Sequence, residues 1–187
     1  MNEVKEFFDK IACEWTNDND LDFIKKLLNH VNIKKQDDVL DVGCGKGVIT
    51  HLLYEFSLKQ VDAIDISSEM IKCTKNDCAC NYICGDYITY DFNKKYDVVV
   101  VFNAYPHFLE KEKFAKKTYE VLKKDGKIVI MHDMSRLMLE KHHSGCAKNI
   151  SCVLKDPDNE YKPFSDRFAK VFSIDDDKSY MLIMQKL

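Results

Sequence analysis

The sequence predicts an α/β domain built on a doubly wound, Rossmann-like sheet that is mostly parallel. Three observations carry that expectation. Short apolar segments alternate with segments of helical period along most of the chain. One of them, residues 96–102, is apolar almost without interruption, as strands covered on both faces of a parallel sheet are. Glycine is scarce, with 6 in 187 residues, yet Gly43, Gly45 and Gly47 crowd into the junction between an apolar strand and a helical stripe.

The elements follow in order. Val4, Phe7, Phe8, Ile11 and Ala12 recur at helical spacing, so residues 3–14 are expected to form an amphipathic helix. Residues 17–20, Asn-Asp-Asn-Asp, are a turn and cap cluster. A second helix is expected over 21–30, with Leu21, Ile24, Leu27 and Leu28 on one face. Residues 38–42 form a short strand that stops at Gly43, and Val48, Ile49, Leu52, Leu53 and Phe56 then mark a helix. The alternation repeats as a strand over 60–66, a helix over 67–76 capped by Ser67 or Ser68, and a strand over 81–84 ending at Gly85. After the apolar strand come a helix over 111–124, a turn at Asp125-Gly126 and a strand over 127–131. Residues 167–174 and 179–186 read as two strands joined by Asp175-Asp176-Asp177, a hairpin that makes one sheet edge antiparallel.

Composition narrows the function classes. A chain of this length can bury about 70% of its unfolded surface and needs no disulfide or metal staple. The 45% apolar and 32% charged content excludes a disordered or collagen-like chain. With 28 Lys and Arg against 31 Asp and Glu, no basic excess advertises nucleic acid or an anionic membrane. Residues 1–15 carry charges where a secretory signal would be apolar, and the longest apolar runs, about five residues, fall far short of the roughly 20 that span a bilayer. The expectation is one cytoplasmic domain with its eight cysteines mostly reduced.

The most informative stretch runs from Val39 to Thr50, Val-Leu-Asp-Val-Gly-Cys-Gly-Lys-Gly-Val-Ile-Thr. Glycine lets the backbone take positive φ and lets a ligand approach the main chain, and the helix behind it presents N–H groups. In doubly wound folds the ligand lies beyond the carboxyl end of such a strand. The next strand ends in Asp65, 22 residues beyond Gly43, about the offset at which an acid accepts hydrogen bonds from ribose hydroxyls. The third is followed by Asp86 and Tyr87. Together these make a nucleoside-binding constellation. The dinucleotide pattern G-x-G-x-x-G does not fit, because the third glycine comes one position early and Val48 stands where Gly or Ala is required. Asp41 would sit badly beside a pyrophosphate but suits a ligand carrying an amino group and positive charge.

The segment Asp41-Val-Gly-Cys-Gly-Lys-Gly47 resembles the first motif of class I S-adenosylmethionine-dependent methyltransferases, in frame with Asp65, Asp86, Phe102-Asn103 and residues 122–130. The resemblance covers about residues 35–132, and the opening residues 7–15 resemble the N-terminal helix of the ubiquinone/menaquinone-biosynthesis-like branch. It implies a seven-stranded sheet ending in an antiparallel hairpin. It also implies S-adenosylmethionine as methyl donor, S-adenosylhomocysteine as product and a small-molecule acceptor, in a monomer or homodimer without nucleic-acid or membrane partners. By motif, Asp41 and Gly43, Cys44, Gly45 and Gly47 would hold the methionine moiety, and Asp65 the ribose diol. Ile66, Asp86 and Tyr87 would lie against the adenine, and Asn103 would line the methyl-donor site. The domain expected is 1–187, with residues 1–30 as a helical lid and 133–165 as an acceptor-side insertion.

Methyl transfer from a sulfonium is an in-line displacement, in which the protein orients the reactants and excludes water. A base is required only where the acceptor must lose a proton. Candidates lie after the fourth and fifth strands. Tyr105 and His107 fall in the first of these segments, His132 and Arg136 in the second. Each also has a structural alternative, as a loop or cap residue or in internal hydrogen bonding. His142 and His143 project about 100° apart on a helix expected to end at Gly145, which suits a lid better than a shared metal. Cys73, Cys78, Cys80 and Cys84 are clustered but lack paired C-x-x-C spacing, so no metal site is assigned. Two other readings remain at this point: a regulatory protein that binds the nucleoside without turnover, and a nicotinamide-dependent oxidoreductase, which the glycine spacing disfavours.

Overall fold

The computed structural model of this protein describes residues 2–16, 18–74, 80–143 and 149–187. Seven strands, β1 (Val39–Val42), β2 (Val61–Asp65), β3 (Cys80–Cys84), β4 (Tyr96–Phe102), β5 (Leu122–His132), β6 (Phe168–Asp175) and β7 (Tyr180–Lys186), form one sheet in the order β3-β2-β1-β4-β5-β7-β6. The first five run parallel, and β7 pairs antiparallel with both β5 and β6. The chain steps outward from β1 to β3 and returns to β4 on β1's other side. Loops leaving β1 and β4 therefore diverge and open a crevice at their carboxyl ends.

Strand periodicity divides the core in two. Leu40, Val42, Val99, Val101, Ile128 and Ile130 face one layer, where α5 (Lys111–Val121) adds Phe114 and the approach to β6 adds Phe164 and Phe168. Val39, Val98, Val100, Val129 and Met131 face the other, where α2 (Leu21–Leu28) and α3 (Thr50–Ser57) add Ile24, Leu28 and Leu53. Asp20 caps α2 by accepting from the Phe23 N–H at 3.0 Å. Asp41 shares the face of Val39 and is the charged residue inside β1. Among the described residues no helix is long and apolar enough to cross a membrane.

Some expected boundaries move. The first helix, α1 (Asn2–Ile11), is shorter than expected. The helix expected over 111–124 ends at Val121, and β5 begins at once. The predicted turn at Asp125-Gly126 is a wide bulge inside β5: Leu122 pairs with Tyr96, and the next pair is Lys127 with Val98. Asp125 takes φ +60 there, and Lys123 reaches Asp38 and Asp97 at 2.7 Å each. α4 (Ser68–Lys72) is capped by Ser67, whose hydroxyl accepts from the Met70 N–H at 3.1 Å. α6 (Arg136–His143) starts four residues earlier than Glu140, and α7 (Pro157–Tyr161) follows it. Asn17, Asn76, Cys78, Gly145 and Cys146 lie outside the described residues, as do the side chains of His142 and His143.

Candidate functional site

A cavity of about 380 Å³ opens at the carboxyl ends of β1, β2, β3 and β4, in the crevice the topology creates. The glycine turn forms its floor. Gly43, Gly45 and Gly47 all take positive φ, at +71, +54 and +79. Their reasons differ. A Cβ on Gly43 would come within 2.5 Å of Ala104 Cβ, so this glycine lets the loops after β1 and β4 touch. Gly45 has nothing within 4 Å of that position and opens onto the cavity. Gly47 does not line the cavity: its missing Cβ makes room for the Tyr82 hydroxyl, which would otherwise stand 2.4 Å away. The expected ligand contact at Gly47 is thus replaced by a packing role against β3.

Asp65 at the end of β2 accepts from the Gly45 N–H and the Ser67 N–H, each at 2.8 Å. It braces the glycine turn while lining the cavity, and burial pushes its carboxyl above the usual range despite those bonds. Asp86 lines the cavity and accepts from the Ile88 N–H at 3.0 Å. Tyr87 contributes to the wall, but its hydroxyl pairs with Thr118 Oγ1 at 3.0 Å inside the core. Ile64, Ile66, Met70 and Ile88 add apolar wall beside these acids, and Cys44 lines the turn.

Two buried oxygens are left without a protein partner here. Asp41 is 1% exposed; one carboxylate oxygen accepts from Thr50 Oγ1 at 2.7 Å and Oδ1 has no partner. Burial pushes its carboxyl up to about 7, and Asp65 nearby pushes the same way. Asn103, directly after β4, sits at φ +52, a conformation asparagine tolerates. Its Nδ2 donates to Asp133 Oδ1 at 2.8 Å and its Oδ1 has no partner. Both residues line the cavity. Its other ionisable walls include Asp65, Asp86, Glu110, His107 and Lys46, with the Lys46 ammonium donating to the Trp15 carbonyl at 2.7 Å. Two hydrogen-bond acceptors among acids, beside an apolar slot, fit a ligand with an ammonium group and a nucleoside. S-adenosylmethionine is such a ligand.

Of the four acceptor-side candidates, His107 alone lines the cavity. Its Nδ1 lies 3.1 Å from the Ile150 carbonyl, and its ring meets Phe8 edge-on at 4.9 Å. Tyr105 is fully buried, packed on Phe114 under the Lys111 ammonium, which lies 3.4 Å from the ring centre. His132 is fully buried too: strand alternation turns it into the layer of Tyr180, its partner on β7. Arg136 pairs with Asp175 at 2.7 Å and holds α6 to the end of β6. The expectation that Tyr105, His132 and Arg136 stand over the donor is corrected by these placements. None of the described residues of 133–165 lines the cavity; that segment touches lining residues through Ile150 behind His107 and through Asp133, which bonds Asn103 and Asn19. From the N-terminal region, Val4, Phe8, Trp15 and Asn19 do line it. Lys46, Asn19 and Glu110 carried no sequence signal; Asn19 read only as part of a turn cluster. Among the described residues no group of three or more His, Cys, Asp or Glu is placed to hold a metal ion.

Residues 39–126 match the family model of a methyltransferase domain. The ubiquinone biosynthesis O-methyltransferase of Rickettsia prowazekii is 28% identical over 148 residues, 70% of this chain and 58% of that one. A malonyl-acyl-carrier-protein O-methyltransferase of Acetivibrio thermocellus is 33% identical over 97 residues, 50% of this chain and 34% of its own length. This chain thus spans less than two thirds of the length of these relatives. The N-methyltransferase NodS of Bradyrhizobium japonicum, solved with S-adenosyl-L-homocysteine, shares the fold with a TM-score of 0.73 at 11% identity, over 98% of each chain.

Proposed function

We propose, from the premise that this chain belongs to the class I S-adenosylmethionine-dependent methyltransferases, that it methylates an oxygen atom of an uncharged, ring-bearing small molecule. The observation that carries the reading is the pair of buried, unpartnered acceptors, Asp41 Oδ1 and Asn103 Oδ1, on one cavity. A buried acceptor left unpaired costs about 1–3 kcal/mol, which an ammonium donor would recover. Asp65 would take the ribose hydroxyls, and Ile66, Asp86 and Tyr87 the adenine side. S-adenosylmethionine supplies, when bound, an electrophilic methyl group on a sulfonium.

The acceptor side is aromatic and apolar, with Phe8, Trp15, His107 and Leu109. Asp65, Asp86 and Glu110 outnumber its one lysine, Lys46, so the charge on the cavity wall does not favour an anionic acceptor. Oxygen as the methylated atom is supported by the two relatives named O-methyltransferases. His107 stands on the cavity wall with Nδ1 3.1 Å from the Ile150 carbonyl, and it is the imidazole placed to take the proton of a hydroxyl acceptor. Residues 1–30 act as a lid. Asp9 on α1 accepts from Ser67 Oγ at 2.7 Å and from the Glu69 N–H at 3.2 Å, which seats Phe8 over the cavity. Lys5 beside Asp9 holds its carboxyl down to about 2, so this clasp stays charged at neutral pH.

Methyl-labelled S-adenosylmethionine incubated with the protein and a small-molecule extract tests the reading. Label should appear in an alkali-sensitive or ether-linked methyl of a small product. Donor binding without any labelled product would favour a regulatory nucleoside-binding protein instead.

A further inference from the structure

Asp133, the residue directly after β5, does not line the cavity, yet it contacts two residues that do. Its Oδ1 accepts from Asn103 Nδ2 and its Oδ2 from Asn19 Nδ2, each at 2.8 Å. The three residues belong to distant stretches of chain, separated by 30 and 114 positions. We propose that Asp133 is a positioning residue for donor binding, which rests on the reading above. It aims the Asn103 carbonyl oxygen at the donor's amino group and ties the segment around Asn19 to the same site.

The two ends of an asparagine amide have almost the same shape, so shape alone cannot set which end faces the cavity. A carboxylate only accepts. Bonded to Asn103, it binds the NH2 end and leaves Oδ1 buried and without a protein partner, on a residue that lines the cavity. The backbone holds the residue at φ +52, with its N–H donating to the Met131 carbonyl at 3.0 Å, so the freedom that remains is in the side-chain torsions, the amide flip among them. Without Asp133 the flipped amide would present N–H groups to an ammonium, donor against donor. The same carboxylate selects the NH2 end of Asn19 and so ties Asn19 to the donor site.

Titration calorimetry on the full chain tests this with two probes. S-adenosylhomocysteine carries the amino group; 5′-methylthioadenosine has the same adenosine and thioether but no amino acid. Asp133→Ala should weaken the first about tenfold and the second less than about twofold, the loss of one charge-assisted contact. Asp133→Asn, which keeps the size and one acceptor oxygen, should fall between alanine and wild type. In an Asn103→Ala background the further effect of Asp133→Ala should shrink below about threefold, since residues acting through one another do not add. Equal losses for both probes, or full additivity, would overturn the proposal and leave Asp133 a merely structural residue. Wild-type protein that binds neither probe would overturn the donor reading itself, a separate outcome.

Discussion

The two ends of the cavity are built differently. At the donor end, backbone and carboxylates do the work, and partners sit on adjacent strands: Gly43 N–H on the Ile64 carbonyl at 2.8 Å, Gly45 N–H on Asp65. At the acceptor end, side chains reach backbone carbonyls far along the chain: His107 that of Ile150, Lys46 that of Trp15. The first end is a property of strand, turn and helix taken together. The second exists only once α1, the loop after β4 and the segment behind it are brought together. A nucleoside site can therefore be carried in a short motif, whereas the space beyond it depends on the whole chain.

Four substitutions and one titration would break or sharpen that contrast, and the largest effect belongs to the shared boundary. Gly43→Ala should destabilise the fold by about 3 kcal/mol, combining left-handed strain with the clash against Ala104. Gly45→Ala, strained in φ but facing open space, should cost about 1 kcal/mol. Thermal or urea unfolding of the two variants checks this, and equal losses would mean the loops after β1 and β4 do not abut. Next, His107→Ala should slow methyl transfer about a hundredfold while S-adenosylhomocysteine affinity stays within about twofold. Single-turnover rates paired with calorimetry separate the two, and a joint loss would merge the ends that the geometry keeps apart.

Asp65→Ala should cost about 2 kcal/mol of donor binding, as expected for hydrogen bonds to a charged group. Adenosine-containing probes should all lose affinity, in contrast to the probe-selective loss expected at Asp133. The smallest effect is a pH dependence from Asp41. Its carboxyl is raised to about 7, so it is protonated below that pH and ionises above it. An ammonium ligand favours the ionised form, hence affinity should rise by up to about tenfold per unit as pH climbs toward 7 and level off above. Binding near pH 7 should release a proton, visible as a heat that depends on the buffer. The sign for stability is opposite: the ligand-free fold loses stability as pH rises from the ordinary carboxyl range through 7. Affinity that is flat from pH 5 to 8 would remove Asp41 from the ligand.

At the glycine-turn end, the lining of the cavity was almost wholly legible. Asp41, Gly43, Cys44, Gly45, Asp65, Ile66, Asp86, Tyr87 and Asn103 were all marked by motif, and all line the cavity. Gly47 misled because positive φ has more than one cause, and here the cause is Tyr82 on β3. At the other end, Tyr105, His132 and Arg136 were chosen for being polar near strand ends. Alternation sent His132 into the core, Lys111 and Phe114 enclosed Tyr105, and Asp175 took Arg136. The N-terminal helix was legible as an amphipathic element, but not that Asp9 would clasp Ser67 and Glu69.

By itself the sequence determined the alternation of strands and helices, the hairpin edge and the nucleoside turn. Each of these depends on period, φ freedom and carboxylate spacing within about 25 residues, which the chain states directly. Tertiary structure alone decided which polar side chains share the cavity and which of their atoms face it. Those choices depend on strand register, on hydrogen bonds spanning up to 114 residues and on an amide end selected by a carboxylate behind it. No local pattern encodes a partner that folding has yet to bring near.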